Sequence, residues 1–450
     1  MAHRTLKTSY RALEHRLNLF PQGAPPSEAL DAILRILVTE REAAVLSKMP
    51  ILPFTAAKAA GILGWTEKDA AAALDGLASR AVLLDIEKPE GRIYMFPPPM
   101  AGFFEFSLMR MRGDIDQKAL SEMFYQYLNV EEDFVRELFA VGDTHLGRAF
   151  VNEAALGVRR PPKAGARPGD PPLPGSDELT VLDFERVSHL IRTSKHMGVG
   201  TCYCRHKMMH VGKNCDAPLD ICMTFGTVAD SLIRHGHARR VTPDEGLALL
   251  DRAYAHDLLQ FGENEQEDLP FICNCCGCCC EALLAIRRFG TPNTVNTTAF
   301  LPVVLEETCT GCGKCVQACP VEAIALVGAN DPKNPKRRKA KVDASVCLGC
   351  GVCVRKCDKA SLFLASRGPR VLTPVDSAHR TVLMAIERGK LQNLIFDNQA
   401  HRSHRAMAAV LGAIVRLPPA KQILASEQVR SKYLVTLIDS VQGKKAPAGS

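Results

Sequence analysis

The residues of this 450-residue chain with the most chemistry to offer are its 18 cysteines, all of which lie between Cys202 and Cys357. Six crowd into the stretch CNCCGCCC: Cys273, Cys275, Cys276, Cys278, Cys279 and Cys280. Cys202, Cys204, Cys215 and Cys222 precede them, and the remainder follow from Cys309 onward. Packing does not explain such a set, because valine or leucine fills a core as well and crowded free thiols invite oxidation. Thiolates are the ligands of soft metals, and that is the chemistry these residues offer. Arg205, His206, His210 and Lys213 lie among the upstream thiols, where positive charge favours the thiolate form and steadies an anionic centre.

The spacing is most regular downstream. CTGCGKCVQACP sets Cys309, Cys312, Cys315 and Cys319 ahead of Pro320, and CLGCGVCVRKCD sets Cys347, Cys350, Cys353 and Cys357. Both read C-x2-C-x2-C-x3-C, the bacterial-type [4Fe–4S] spacing. A tight loop can aim three such thiolates at three irons of one cube. Gly311, Gly313, Gly349 and Gly351 let the backbone curl and turn N–H groups toward sulfur. A zinc site asks for no repeated triple with an outlying fourth cysteine.

Over residues 300–367 this repeat resembles the two-cluster bacterial ferredoxins. The resemblance implies two [4Fe–4S] clusters with crossed ligation. Cys309, Cys312, Cys315 and Cys357 would hold one, and Cys347, Cys350, Cys353 and Cys319 the other. Two features depart from the pattern. Asp358 stands where the first motif has Pro320, which leaves that cluster wetter. An insertion, GANDPKNPKRRKAKVD, carries Lys333, Lys336, Arg337, Arg338, Lys339 and Lys341, and is either a docking loop for an acidic redox partner or a solvated turn.

The ten upstream cysteines are read as metal ligands for one or two further iron–sulfur clusters. Either Cys202, Cys204, Cys215 and Cys222 form their own set, or each set draws on both segments. Adjacent cysteines point in different directions, so the six of 273–280 cannot all face one cube. Cys275-Cys276-Gly277 resembles the cysteine-rich motif of heterodisulfide-reductase-type subunits, which hold noncubane clusters, although the wider spacing of that motif is absent.

The elements that must position these thiols point to an α+β multidomain chain. Residues 1–110 alternate helices with a strand pair turning at Glu90-Gly91, an order that resembles a winged helix; residues 111–158 read as a helical segment. Six prolines between Pro161 and Pro174 mark a linker over 159–178. A cysteine-rich α/β region follows over 179–299, with a helix capped by Thr242, Pro243 and Glu245. The ferredoxin-like βαβ repeat occupies 300–367, and 368–450 is a helical C-terminal region whose apolar stripes are packing surface.

Composition is ordinary, 46% hydrophobic and 23% charged with net charge +7, which permits an acidic partner without requiring nucleic acid. The basic, polar start MAHRTLKTSY lacks the apolar core of a secretory signal, and no run of about 18 apolar residues reads as a transmembrane helix. The expectation is a reducing, cytoplasmic setting. No dinucleotide-binding or Walker glycine motif is present, so flavin, nicotinamide and ATP belong to partner subunits. Three functions fit: an electron-transfer protein or subunit of an anaerobic oxidoreductase, an oxidoreductase with its substrate-reducing centre at residues 202–280, or a redox-responsive winged-helix regulator. The candidate recognition helix carries Glu67, Asp69 and Asp75, which disfavours phosphate contact.

Overall fold

Ser27 ends an extended segment, and its hydroxyl accepts the Leu30 N–H, so the chain enters helix Glu28–Leu37 with an orphan donor satisfied. Leu30, Ile33, Leu34 and Leu37 recur at helical spacing and are all buried. Thr39 and Glu42 close a capping box on the next helix, and Thr66 caps helix Glu67–Ala78. Strands β1 (Phe54–Thr55), β2 (Leu84–Lys88) and β3 (Gly91–Met95) form an antiparallel sheet in the order β1-β3-β2. The hairpin turns through Pro89 and Glu90, one residue before the expected Glu90-Gly91, with Lys88 opposite Gly91 at the start of β3.

The computed structural model describes residues 2–140, 142–157, 181–289, 295–368, 373–398 and 401–415. The proline-rich segment 159–178 lies outside them. One apolar core runs from Tyr10 to Leu146 and takes in Val382, Met384, Leu391 and Leu394, so the C-terminal helices close directly over the N-terminal ones. Buried Arg16 pairs with Asp397, whose other oxygen accepts the Ile51 N–H at 2.7 Å and the Leu52 N–H at 3.1 Å. These contacts cross almost the whole length of the sequence.

The middle of the chain holds a sheet of β4 (Gly147–Ala149), β5 (Met197–Thr201), β6 (Asp220–Phe225), β7 (Arg239–Arg240), β8 (Leu259–Glu263) and β9 (Phe271–Cys275). Their spatial order is β4-β8-β9-β6-β5-β7, and every pairing is antiparallel. The expected α/β architecture is therefore corrected to α+β. Helix Tyr203–His210 is part of a return loop between β5 and β6, not a crossover between parallel strands. Residues 111–158 are likewise not wholly helical, since β4 leaves the helices to pair with β8.

Strands β10 (Phe300–Val304), β11 (Ile324–Gly328), β12 (Arg338–Val342) and β13 (Leu362–Ser366) frame the repeated motifs. The pairs are β10 with β13 and β11 with β12, so each half of the repeat supplies strands to the other. That exchange brings the two cysteine loops face to face.

Candidate metal centres

Each downstream cysteine loop leads into a short helix, Lys314–Ala318 in the first and Val352–Arg355 in the second. Gly349 has φ +72°, and a Cβ there would lie 2.0 Å from the carbonyl oxygen of Phe300. Only glycine lets the loop take this left-handed turn hard against β10. Its counterpart Gly311 (φ +67°) is pressed in the same way against the Arg338 carbonyl, at 2.4 Å. Backbone N–H groups donate to sulfur: Ala323 to Cys319 and Ser361 to Cys357 in matched places, both at 3.2 Å, and, from unrelated positions, Ala340 to Cys309 and Gly349 to Cys347, both at 3.4 Å. Such donors favour a charged sulfur and tune whatever it binds.

The thiols of the two motifs influence one another's ionisation, Cys315 reaching Cys353 as the weakest of its charged neighbours. Cys315 is raised by burial and then by the charges of Cys309 and Cys312. Burial pushes Cys350 up to about 12, and the charges of Cys347 and Cys319 add to the effect. Cys353 is also raised by burial, with Cys350, Cys347 and Cys319 next in weight. Cys319 thus lies among the second motif's thiols. Buried thiolates this close are unfavourable until a positive centre joins them, and iron supplies that charge. At the substituted position, Asp358 pairs with Lys314 of the first motif. Within the basic insertion, Arg337 donates to the carbonyls of Glu306 (2.6 Å) and Glu307 (3.1 Å), and Lys339 pairs with Glu306 at 2.5 Å. Those two cations hold the approach to Cys309.

Upstream, five segments converge. Cys202 stands just before helix Tyr203–His210, Cys204 lies in its first turn and Cys215 in the loop beyond it. Cys222 is on β6, Cys273 and Cys275 share one face of β9, and Cys276–Cys280 turn into helix Glu281–Phe289. The alternate residue of β9, Asn274, faces the other way: it donates to the Ile221 carbonyl at 2.7 Å and accepts from Gln260 at 3.0 Å, fixing β9 between its neighbours.

The ten thiols fall into two sets, each drawn from both segments. Cys215, Cys276, Cys278 and Cys279 have sulfurs all within 4.8 Å of one another. The other six form a chain in which each affects the ionisation of the next: Cys202, Cys222, Cys273, Cys275, Cys280, Cys204. Hydrogen bonds from Cys222 and Cys275 lower Cys273 to about 6, and those from Cys204 and Cys275 hold Cys280 below the usual thiol range. The flanking Cys204 and Cys275 are driven up first by those same neighbours. Cys273 and Cys280 are thus the members whose ionised form their neighbours favour, an arrangement that suits a cationic occupant.

Buried polar residues fix this arrangement. Lys207, fully buried, pairs with Glu281, and both bond Asn129, whose amide donates to Glu281 at 2.7 Å. Since Lys207 follows Cys204 on its helix and Glu281 follows Cys280, the triad locks the two thiol-bearing segments together. The sequence reading missed all three residues; a lysine and a glutamate beside cysteines carry no signal that they will be buried as a pair. Arg205 is 1% exposed and donates to the Asn274 carbonyl at 3.0 Å and toward Cys276 Sγ at 3.7 Å, while its Nε and Nη2 have no protein partner. Lys213 instead donates to the Tyr125 hydroxyl at 2.5 Å. His206 Nδ1 lies 2.7 Å from the Leu108 carbonyl, and its Nε2 lies 3.1 Å from His210 Nε2.

The upstream thiols and the downstream repeat abut. A Cβ on Gly277 would lie 2.3 Å from the Pro320 carbonyl oxygen, so the CNCCGCCC turn rests on the residue after Cys319. Arg287 spans the junction, donating to the Gly277 carbonyl at 2.7 Å and pairing with Glu322. Cys275 and Cys280 share one apolar cluster with Cys347, and Cys273, Cys319 and Cys350 pack against it.

A family model described as a 4Fe-4S dicluster domain matches residues 308–360, which span both repeated motifs. No curated protein and no solved structure matches the chain. The matched segment defines a ferredoxin-like iron–sulfur domain, and the chain that carries it is an iron–sulfur protein. None of its helices, among the described residues, is long and apolar enough to cross a membrane.

Proposed function

We propose that this chain is an electron-transfer protein of an anaerobic redox system, in which a two-cluster domain exchanges electrons with a further iron–sulfur centre on the upstream thiols. Bound [4Fe–4S] clusters accept and release single electrons. On this reading, Cys309, Cys312, Cys315 and Cys357 hold one cluster and Cys347, Cys350, Cys353 and Cys319 the other, in the crossed pattern. The six-thiol array of Cys202, Cys204, Cys222, Cys273, Cys275 and Cys280 holds the further centre. Arg205 stands between this array, at Cys202 and Cys222, and Cys276 of the four-thiol group, and the Lys207–Glu281–Asn129 triad keeps the two halves of the array in register.

The observation that carries this reading is the seating of Gly277 on Pro320, with thiols of both regions packed about one apolar cluster. This packing places the six-thiol array beside the Cys319 side of the repeat and leaves exposed Cys312, on the Cys309–Cys315 loop, for an external redox protein. The N-terminal helix–strand–helix–helix–hairpin order fits a winged-helix-like module used for packing. Its helix Glu67–Ala78 carries Glu67 and Asp69, while Asp75 is taken by Arg92 and Tyr94.

The test is electron entry in Cys350→Ser holoprotein, purified anaerobically and followed by freeze-quench electron paramagnetic resonance. Reduction of the upstream centre by a one-electron donor should slow while its iron content stays unchanged. Reduction at the unaltered rate would show that electrons do not pass through the repeat, and this reading would fail.

A further inference from the structure

The tight four-thiol group has a geometry of its own. Cys215 Sγ lies 3.6 Å from Cys276 Sγ, Cys278 Sγ lies 3.7 Å from Cys279 Sγ, and all four sulfurs fall within 4.8 Å of one another. Four sulfurs placed about 2.3 Å from one tetrahedral ion are separated by about 3.8 Å, the edge of that tetrahedron. A disulfide would bring two sulfurs to about 2.0 Å, which none of these pairs approaches. A cubane assigns each thiolate to a different iron and so spreads its ligands more widely. The chain supplies its own comparison. The eight cysteines of the downstream repeat have cubane spacing in sequence, and among the described residues no set of them is gathered this closely.

We infer that Cys215, Cys276, Cys278 and Cys279 form a mononuclear tetrathiolate site for one divalent tetrahedral ion, zinc or iron, separate from every iron–sulfur cluster of the chain. A second observation points to an occupant. Four thiolates around a divalent ion leave a net double negative charge. Buried Arg205 directs Nη1 toward Cys276 Sγ at 3.7 Å, with Nε and Nη2 unpartnered. A guanidinium withdrawn from water in this way needs an anionic neighbour. The site also has a structural consequence: an ion there joins the loop after helix Tyr203–His210 to the turn after β9, across 61 residues. It stands at the protein surface, with Cys278 exposed and Cys279 buried, so it can load without opening the core. The inference rests on these four sulfurs and Arg205 and does not depend on the proposed electron route.

The experiment uses the full chain, purified anaerobically, with iron, zinc and acid-labile sulfide measured per chain in the parent and in a Cys215→Ala/Cys278→Ala variant. The expected result is loss of one metal equivalent with sulfide unchanged; whether zinc or iron falls identifies the ion. Loss of iron and sulfide together in cluster proportion would overturn the inference in favour of a polynuclear centre, and so would unchanged metal. The dicluster resonance signals serve as the folding control. If the double variant loses them, the single Cys278→Ala variant, altered only at an exposed position, is read by the same criteria.

Discussion

Replacing Gly277 by alanine probes the junction on which the electron route depends. The added methyl would stand 2.3 Å from the Pro320 oxygen, 3.0 Å from its carbonyl carbon and 3.1 Å from its Cα. All three are backbone atoms, so no side-chain rotation relieves the overlap, and the turn must retreat by about 1 Å to reach ordinary contact. Overpacking of this kind costs roughly 1–3 kcal/mol, and the retreat also strains the Arg287 bridge between Gly277 and Glu322. A matched control is Gly76→Ala on helix Glu67–Ala78. A Cβ there meets nothing within 4 Å, and the change should stabilise by up to about 1 kcal/mol through helix propensity. Anaerobic denaturant unfolding supplies the stability of each variant, and freeze-quench spectroscopy supplies the rate at which the upstream centre is reduced. Gly277→Ala should lose stability and slow that reduction while keeping its iron. Equal stability and equal rates in the two alanine variants would refute the packing argument.

Other outcomes follow from single residues. Cys319→Ser should damage the cluster associated with Cys347, Cys350 and Cys353; resonance spectra showing loss confined to the Cys309–Cys315 side would mean two independent, uncrossed sites. Asp85, buried on β2, is raised by burial, but hydrogen bonds from Arg234, Ser231 and His235 outweigh this and bring it down to about 2. Because its folded value lies below the unfolded 3.8, its contribution of about 2 kcal/mol is complete above pH 4 and lost as pH falls toward 2. Asp85→Ala removes the carboxylate shared by Arg234 and His235 while Arg234 keeps Asp230, and should cost roughly 1–3 kcal/mol at neutral pH; an unfolding curve matching the parent would contradict this. Lys207→Met strands the buried Glu281 carboxylate and should cost roughly 3–5 kcal/mol, whereas Lys207→Met combined with Glu281→Leu should recover most of it. A double variant no more stable than the single one would show that the pair is not isolated from water.

The sequence was most legible where function is encoded locally. Four cysteines at fixed short spacing, with Gly311 and Gly349 between them, announce their loops without any help from the rest of the fold. Caps are local too: Ser27 at one helix, and Thr242 with Glu245 at another, stand where the sequence places them. Partition of the upstream thiols was not legible, because Cys215 meets Cys276 only after β6 and β9 have paired. Strand direction was hidden for a related reason. A helix between two strands reads as a crossover, yet the chain beyond His210 doubles back and makes β5 and β6 antiparallel. Three-residue β4 has too little length to show a period. Charged residues were the least legible: nothing in the sequence marks Lys207 and Glu281 as an internal pair, or Arg337 and Lys339 of the basic insertion as contacts of the segment before Cys309.

The iron and sulfide content of the chain decides whether the upstream thiols hold a centre of their own. Iron and acid-labile sulfide should be determined on anaerobically purified full-length protein, with quantitative electron paramagnetic resonance of the reduced state on the same sample. Two four-iron clusters in the repeat account for about eight irons and about eight sulfides. The account predicts those together with further iron and sulfide that disappear when Cys275 and Cys280 are replaced by serine, the dicluster signals remaining. About eight of each in the parent protein, unaffected by those two substitutions, would contradict it.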